Sequence, residues 1–101
     1  MIPNQDDLLH VEHTPEHMPA GMTLVGIGFW SMSGIEIWRA KVGDGKGACV
    51  YRVRMDGHDV PSRVPLKIRG DACEWAVLAA NARDFRRRQA IRDRLAEEDP
   101  Q

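Results

Sequence analysis

Cys49-Val50-Tyr51-Arg52-Val53-Arg54-Met55 is the stretch from which the fold can be worked out. Cys49, Tyr51, Val53 and Met55 alternate with Arg52 and Arg54, the period-two pattern of a strand that buries one face and wets the other. Asp56-Gly57-His58-Asp59 follows with the Asx-turn and positive-φ residues of a tight reversal, and Gly43-Asp44-Gly45-Lys46-Gly47 does the same upstream. Short apolar runs at 22–30 and 35–42 precede it, and at 64–69 Leu66 and Ile68 oppose Lys67 and Arg69. The pattern predicts a four-stranded antiparallel meander over 22–30, 35–42, 48–55 and 64–69.

Asp71-Ala72-Cys73-Glu74 then opens a helix, with Asp71 placed to accept from first-turn N–H groups and Glu74 to reach back in a capping box. The helix is expected to run to about residue 96. Trp75, Leu78, Ala79, Ala82 and Phe85 recur at helical spacing and form the stripe expected to cover the sheet. Past Phe85 that stripe fails, and Ile91 and Leu95 fall on nearly the opposite side. A helix of about 25 residues spans roughly 37 Å against roughly 23 Å for a strand of seven, so its last turns overhang the sheet. They carry Arg83, Arg86, Arg87, Arg88, Arg92 and Arg94, more cations than compensation of the helix dipole needs. That end is either a solvated terminus or a contact surface.

The first twenty residues hold Pro3, Pro15 and Pro19 and few large apolar groups, and read as an arm with at most a short helix from Asp6 to Val11. The expected organisation is α+β: a flexible acidic arm at 1–20, one domain at 21–97 with the long C-terminal helix packed on one sheet face, and a disordered tail at 98–101. A chain of 101 residues, 43% hydrophobic and 29% charged, is one domain's worth. It buries roughly 65% of its unfolded surface, too little for a deep substrate cleft. No apolar run approaches a membrane span, and the acidic start lacks the basic flank of a secretory signal, so a cytoplasmic protein with reduced Cys49 and Cys73 is expected.

The net charge of −1 hides three unlike segments. Residues 1–38 carry five acids and no Lys or Arg, residues 39–94 carry all fourteen basic residues against seven acids, and the end adds Glu97, Glu98 and Asp99. If the helix covers the apolar face, alternation puts Arg39, Lys41, Arg52, Arg54, Lys67 and Arg69 on the open one, an anion-binding pattern or else an ordinary polar exterior. Ile35 and Ile37 fall out of phase with Trp38, Ala40 and Val42. A bulge near Ile37 would return them to the core; without one, Trp30, Met32, Ile35 and Ile37 form an exposed apolar patch.

Catalytic chemistry finds little footing, and neither an enzyme nor a cofactor is expected. His10, His13 and His17 have a spacing that could ligate zinc, but Pro15 breaks the helix that would align them, so they read as an arm that gains positive charge below about pH 6.5. Cys73 at a helix start has no histidine nearby in sequence and reads as buried. Gly26-x-Gly28 leads into Phe29-Trp30 and not into a helix, so it is no dinucleotide loop. Asp56/Asp59 and Asp6/Asp7 sit in turn or arm contexts, where carboxylates accept from backbone donors.

A sheet with basic residues followed by Asp71-Ala72-Cys73-Glu74-Trp75-Ala76 resembles, over residues 35–88, the arm-type DNA-binding domains of phage integrases. That resemblance implies a sheet laid in the major groove. In size and sheet-plus-helix layout the chain also resembles small phage accessory proteins of the anti-CRISPR inhibitor type, which implies docking on a host nucleoprotein complex without chemistry. Three functions follow as expectations. The first is an inhibitor that uses the basic sheet face and the arginines of the helix end, the second direct DNA or RNA binding through Arg52, Arg54, Lys67 and Arg69, and the third a homodimer with a seam at Ile91 and Leu95.

Overall fold

Asn4 turns the chain at its start by accepting the Asp6 amide at 3.1 Å. The 3-10 turn Gln5–Asp7 that it caps feeds directly into a strand, β1 (Leu8–His13). The computed structural model of the protein describes residues 2–16, 21–41 and 49–98. The other strands are β2 (Met22–Gly28), β3 (Ile35–Lys41), β4 (Cys49–Met55) and the two-residue β5 (His58–Asp59), followed by one helix, α1 (Arg69–Glu98). All neighbours are antiparallel in the order β1-β2-β3-β4-β5, so the α+β meander has five strands where four were expected.

Both extra and missing strands have physical causes. The acidic arm is not loose over 8–13: β1 covers the edge of β2 that would otherwise present unpaired amides, and Leu8 packs on the core. Of the short helix expected from Asp6 to Val11 there is only the 3-10 turn Gln5–Asp7; from Leu8 the chain is strand. The segment 64–69 is not a strand. Pro61 and Pro65 cannot donate to a ladder, only Leu66 bridges to β4 through its carbonyl and the Tyr51 amide at 2.7 Å, and Arg69 is already helical. The glycine-rich turn at 43–47, His17 and the tail from 99 onward lie outside the described residues.

The register of β3 settles the phase question. β3 and β4 pair without a break, Ile35 opposite Met55, Ile37 opposite Val53, Arg39 opposite Tyr51 and Lys41 opposite Cys49. Directly opposed residues project from the same face, so Ile35, Ile37 and Val53 lie together. They are buried in the core cluster with Ala72, Cys73, Ala76 and Ala80 of α1. The bulge near Ile37 is on the neighbouring strand: in β2 Leu24 faces Trp38 and Gly26 faces Ile37, leaving Val25 as the extra residue, while β3 itself is regular. Trp38 and Ala40 belong to the other face, opposite Leu24 and Met22, and are buried there as well. β3 is apolar on both sides.

α1 touches the sheet through small residues. Ala72, Cys73, Ala76, Ala79 and Ala80 are its buried stripe; of the expected set Ala79 is buried, but Leu78 is 60% and Phe85 67% exposed, and Ala82 is exposed. Small side chains let the helix axis approach the isoleucines and valines of β2, β3 and β4, a contact that Leu78 and Phe85 would hold open. Trp75 is half-buried at the rim, its indole N–H donating to the Val60 carbonyl at 3.0 Å. The helix starts before the expected Asp71 cap, with the Ala72 amide already bonded to the Ile68 carbonyl. Among the described residues no helix is long and apolar enough to cross a membrane.

Candidate functional site

The six cations expected on one open face are dispersed. Arg39 projects from the α1 side of the sheet and donates to Glu12 of β1 at 2.9 Å, a bond that holds its guanidinium charged. Lys41 shares that side at the strand end. Arg52 and Arg54 are on the opposite side, but Arg54 lies between Glu36 and Asp59 in the ladder and donates to the Gly57 carbonyl at 2.8 Å. Lys67 is exposed in the loop before α1, and Arg69 is half-buried in its first turn with an Nε that has no hydrogen-bond partner. The single basic face does not form because Ile35 and Ile37, not Trp38 and Ala40, face the helix, and 64–69 is loop and helix start, not strand. Arg52 and Arg54, balanced by Glu36 and Asp59, are all that remains of the basic face.

Arg83 does not overhang; it is 6% exposed. Its guanidinium donates to the carbonyls of Ser33 (2.6 Å) and Ser31 (3.4 Å), pairs with Asp56 at 3.4 Å, and has Asp84 at 3.5 Å from Nε. Asp56 is held in turn. It adopts φ 54°, and its amide donates at 2.8 Å to the carbonyl of Gly34, itself at φ 86°. A Cβ at Gly34 would run into the Asp56 carboxylate, so glycine is required by both conformation and space. These contacts pin α1 to the β2–β3 and β4–β5 connections. The stripe Ala72, Ala76, Ala79/Ala80 reaches Arg83 at helical spacing, a signal that the large apolar residues obscured.

Beyond that pin the helix leaves the body. Every residue from 85 to 97 is exposed, and the molecule measures 64 Å along its long axis against 25 and 24 Å across. Arg86, Arg87, Arg88, Arg92 and Arg94 all lie here; among the described residues only Arg87 forms an ion pair, with Asp56 at 3.4 Å. At about 100° per residue, Ile91 and Leu95 stand about 40° apart, with Arg87 and Arg94 along one side of them and Arg88 and Arg92 along the other. Ile91 is 58% and Leu95 59% exposed. The result is an apolar strip with a cationic margin on each side.

A second exposed feature lies where α1 leaves the sheet. Met32, Ile35 and Ile37 of the expected apolar patch are buried, whereas Trp30 is 77% and Phe29 47% exposed. Trp30 begins the 3-10 turn Trp30–Met32 at φ 51°. The turn is closed by the Met32 and Ser33 amides on the Phe29 and Trp30 carbonyls at 2.8 and 3.1 Å. The Phe29 amide donates to the Asp7 carbonyl at 2.8 Å and the Ser31 hydroxyl to the Asp7 carboxylate. On one side Trp30 borders a groove of about 290 Å³ with Asp6, Asp7, Leu9 and Phe29; on the other, a cleft of about 380 Å³ with Asp56, Arg83, Arg87 and Arg88.

His10 and His13 lie on β1, separated by a register shift, and among the described residues no group of three His, Cys, Asp or Glu stands close enough to hold a metal ion. Cys49 and Cys73 are free thiols; burial pushes the Cys73 pKa up, against a smaller opposing effect of Arg69, the direction that favours the neutral thiol. These features define an α+β protein with a five-stranded meander, one covering helix and a projecting basic helix end. The chain matches no family model, no curated protein and no solved structure.

Proposed function

We propose that the chain is a non-enzymatic cytoplasmic docking protein, of the kind represented by small phage-encoded inhibitors such as anti-CRISPR proteins, that binds a host nucleic-acid-handling complex through the projecting end of α1. One observation carries this reading: residues 85–97 hold five exposed arginines about an exposed Ile91/Leu95 strip, and among the described residues only Arg87 of these has an ion pair. The pattern is complementary to a protein surface with apolar residues bordered by acids, such as one that normally accepts or imitates nucleic acid. Phosphates alone would give Ile91 and Leu95 nothing to bury against. A second copy in antiparallel register about Ile91 would set Arg87 beside the Arg94 of the other copy and Arg94 beside its Arg87, a like-charge pairing that disfavours the homodimer.

Direct nucleic-acid binding is the second reading, supported by the spread of the five arginines around the helix, as a basic helix in a groove would have them. Two measurements on the full chain separate the readings. Fluorescence anisotropy of labelled single- and double-stranded DNA and RNA over a salt series should show weak binding at physiological salt. Affinity capture from nuclease-treated bacterial lysate should retain a nucleic-acid-handling protein that the double variant Arg88→Glu with Arg92→Glu loses. Capture indifferent to that variant would overturn the docking role of the helix end. Tight nucleic-acid binding with a steep salt dependence would establish the second reading.

A further inference from the structure

Trp30 has no role in the fold that accounts for it. Its left-handed backbone is one that glycine takes without cost and a bulky aromatic residue rarely adopts; among the described residues the other such positions are Gly21, Gly34, Gly57 and Asp56. The residue is 77% exposed, so little burial offsets that cost. The turn is nevertheless firmly held. Met32 beneath it is fully buried, Asp7 grips both Phe29 and Ser31, and a Cβ at Gly28 would collide with the Met32 carbonyl. A large aromatic held outward by a fixed loop is a preformed binding anchor.

The groove beside it specifies the charge of its occupant. Asp6 is exposed and has no ion pair among the described residues, Asp7 adds a second carboxylate, and Leu9, Phe29 and Trp30 supply apolar and aromatic wall. We propose that this groove receives an arginine side chain of a protein partner. A guanidinium stacks on an indole face and pairs with a carboxylate through its planar fork, while its alkyl stem lies on apolar surface; an ammonium meets fewer of these conditions and an anion is repelled. The cleft on the far side of Trp30 sets Arg83 and Arg87 against Asp56 and Asp84 and adds Arg88, which has no ion pair among the described residues. The assignment goes beyond the reading of the helix end and does not depend on it.

The test is an NMR titration of the full, isotope-labelled chain with acetyl-arginine-amide, set against acetyl-lysine-amide and acetyl-glutamate-amide. Acetyl-arginine-amide should give saturable shifts confined to the Trp30 indole N–H, Phe29 and Asp6, with a Kd of roughly millimolar order, several-fold weaker for the lysine compound and absent for the glutamate compound. Trp30→Gly should abolish them while keeping the remaining spectrum, and Asp6→Asn should weaken them several-fold without touching the turn. The double variant Arg88→Glu with Arg92→Glu should leave them unchanged, which separates this groove from the helix end. Equal shifts with the glutamate compound, or shifts that survive both Trp30→Gly and Asp6→Asn, would sink the proposal. So would sedimentation showing a dimer that Trp30→Gly dissociates, since the occupant would then be a second copy.

Discussion

The two ends of α1 have similar helix propensity and opposite circumstances. Ala72, Cys73, Ala76, Ala79, Ala80 and Arg83 face the sheet and are buried, whereas everything from 85 to 97 stands in solvent. Alanine and arginine are both strong helix formers, so the backbone runs through the boundary without a break. Only the first part adds tertiary burial. The second is supported by propensity and local pairs such as Gln89 to Asp93 at 3.2 Å. Side chains in the first part are fixed by the need to fold, and those in the second are free to serve something else.

The largest effects should come from the buried end and its floor. Ile37 is 0% exposed, directly under the alanine stripe. Ile37→Ala should cost about 2–5 kcal/mol in urea unfolding, through lost transfer energy and an unfilled cavity. A value below about 1 kcal/mol would mean that the helix and sheet are less closely packed than described. Arg83→Met comes next. It keeps the stem but leaves the Ser31 and Ser33 carbonyls without their donor and Asp56 with Arg87 as its one remaining cation among the described residues. Because Asp56 is 46% exposed, the cost stays near the value for hydrogen bonds to a charged group, about 1.5–3 kcal/mol. Hydrogen exchange should also quicken across residues 84–90 in that variant if Arg83 is the pin that divides the helix.

Much of this contrast was legible in the sequence, and the exceptions share a cause. The β4 alternation, the Asp56-Gly57 reversal and the long helix could be read directly, since each is a local pattern. The projecting end was legible too, as an arginine run past the reach of the sheet. The helix face was not, because Leu78 and Phe85 outweigh alanines in any reading by hydrophobicity, while the close approach of helix to sheet selects for small volume. The sheet faces were misjudged at β3, where Ile35, Ile37, Trp38 and Ala40 are apolar on both sides and no period can say which pair the helix covers. β1 looked like an arm because its fitness as a strand lies in the free edge of β2, which only the assembled sheet reveals. Trp30 lay within a candidate patch, but its backbone conformation is not written in its neighbours.

Cys73 sharpens the comparison by pH. Burial raises its folded pKa above the unfolded thiol value of about 8.5. The stability linked to this group is therefore complete below that value and is lost as pH rises through the folded pKa, because the unfolded chain ionises first. Urea midpoints measured from pH 7.5 upward should fall more steeply for the wild type than for Cys73→Ala. An identical slope would mean that the thiol ionises without resistance and that the buried end of α1 opens to solvent. Alkylation at pH 8 should likewise reach the half-buried Cys49 before Cys73.

The smallest stability effects belong to the projecting end, and there the two regions should separate most clearly. Arg92→Gln and Leu95→Ala each remove an exposed group with no contact to the body, so each should change unfolding free energy by no more than about 0.5 kcal/mol. A loss above about 1 kcal/mol would show that the strip is covered in the isolated protein, by its own chain or a second copy, and the boundary between the halves would vanish. Near-neutral stability together with lost partner capture would mean that 85–97 is maintained by binding alone. Arg92→Lys refines the result: it keeps the charge but loses the planar fork, so retained capture would assign Arg92 a general electrostatic role, and lost capture a directed contact with a carboxylate.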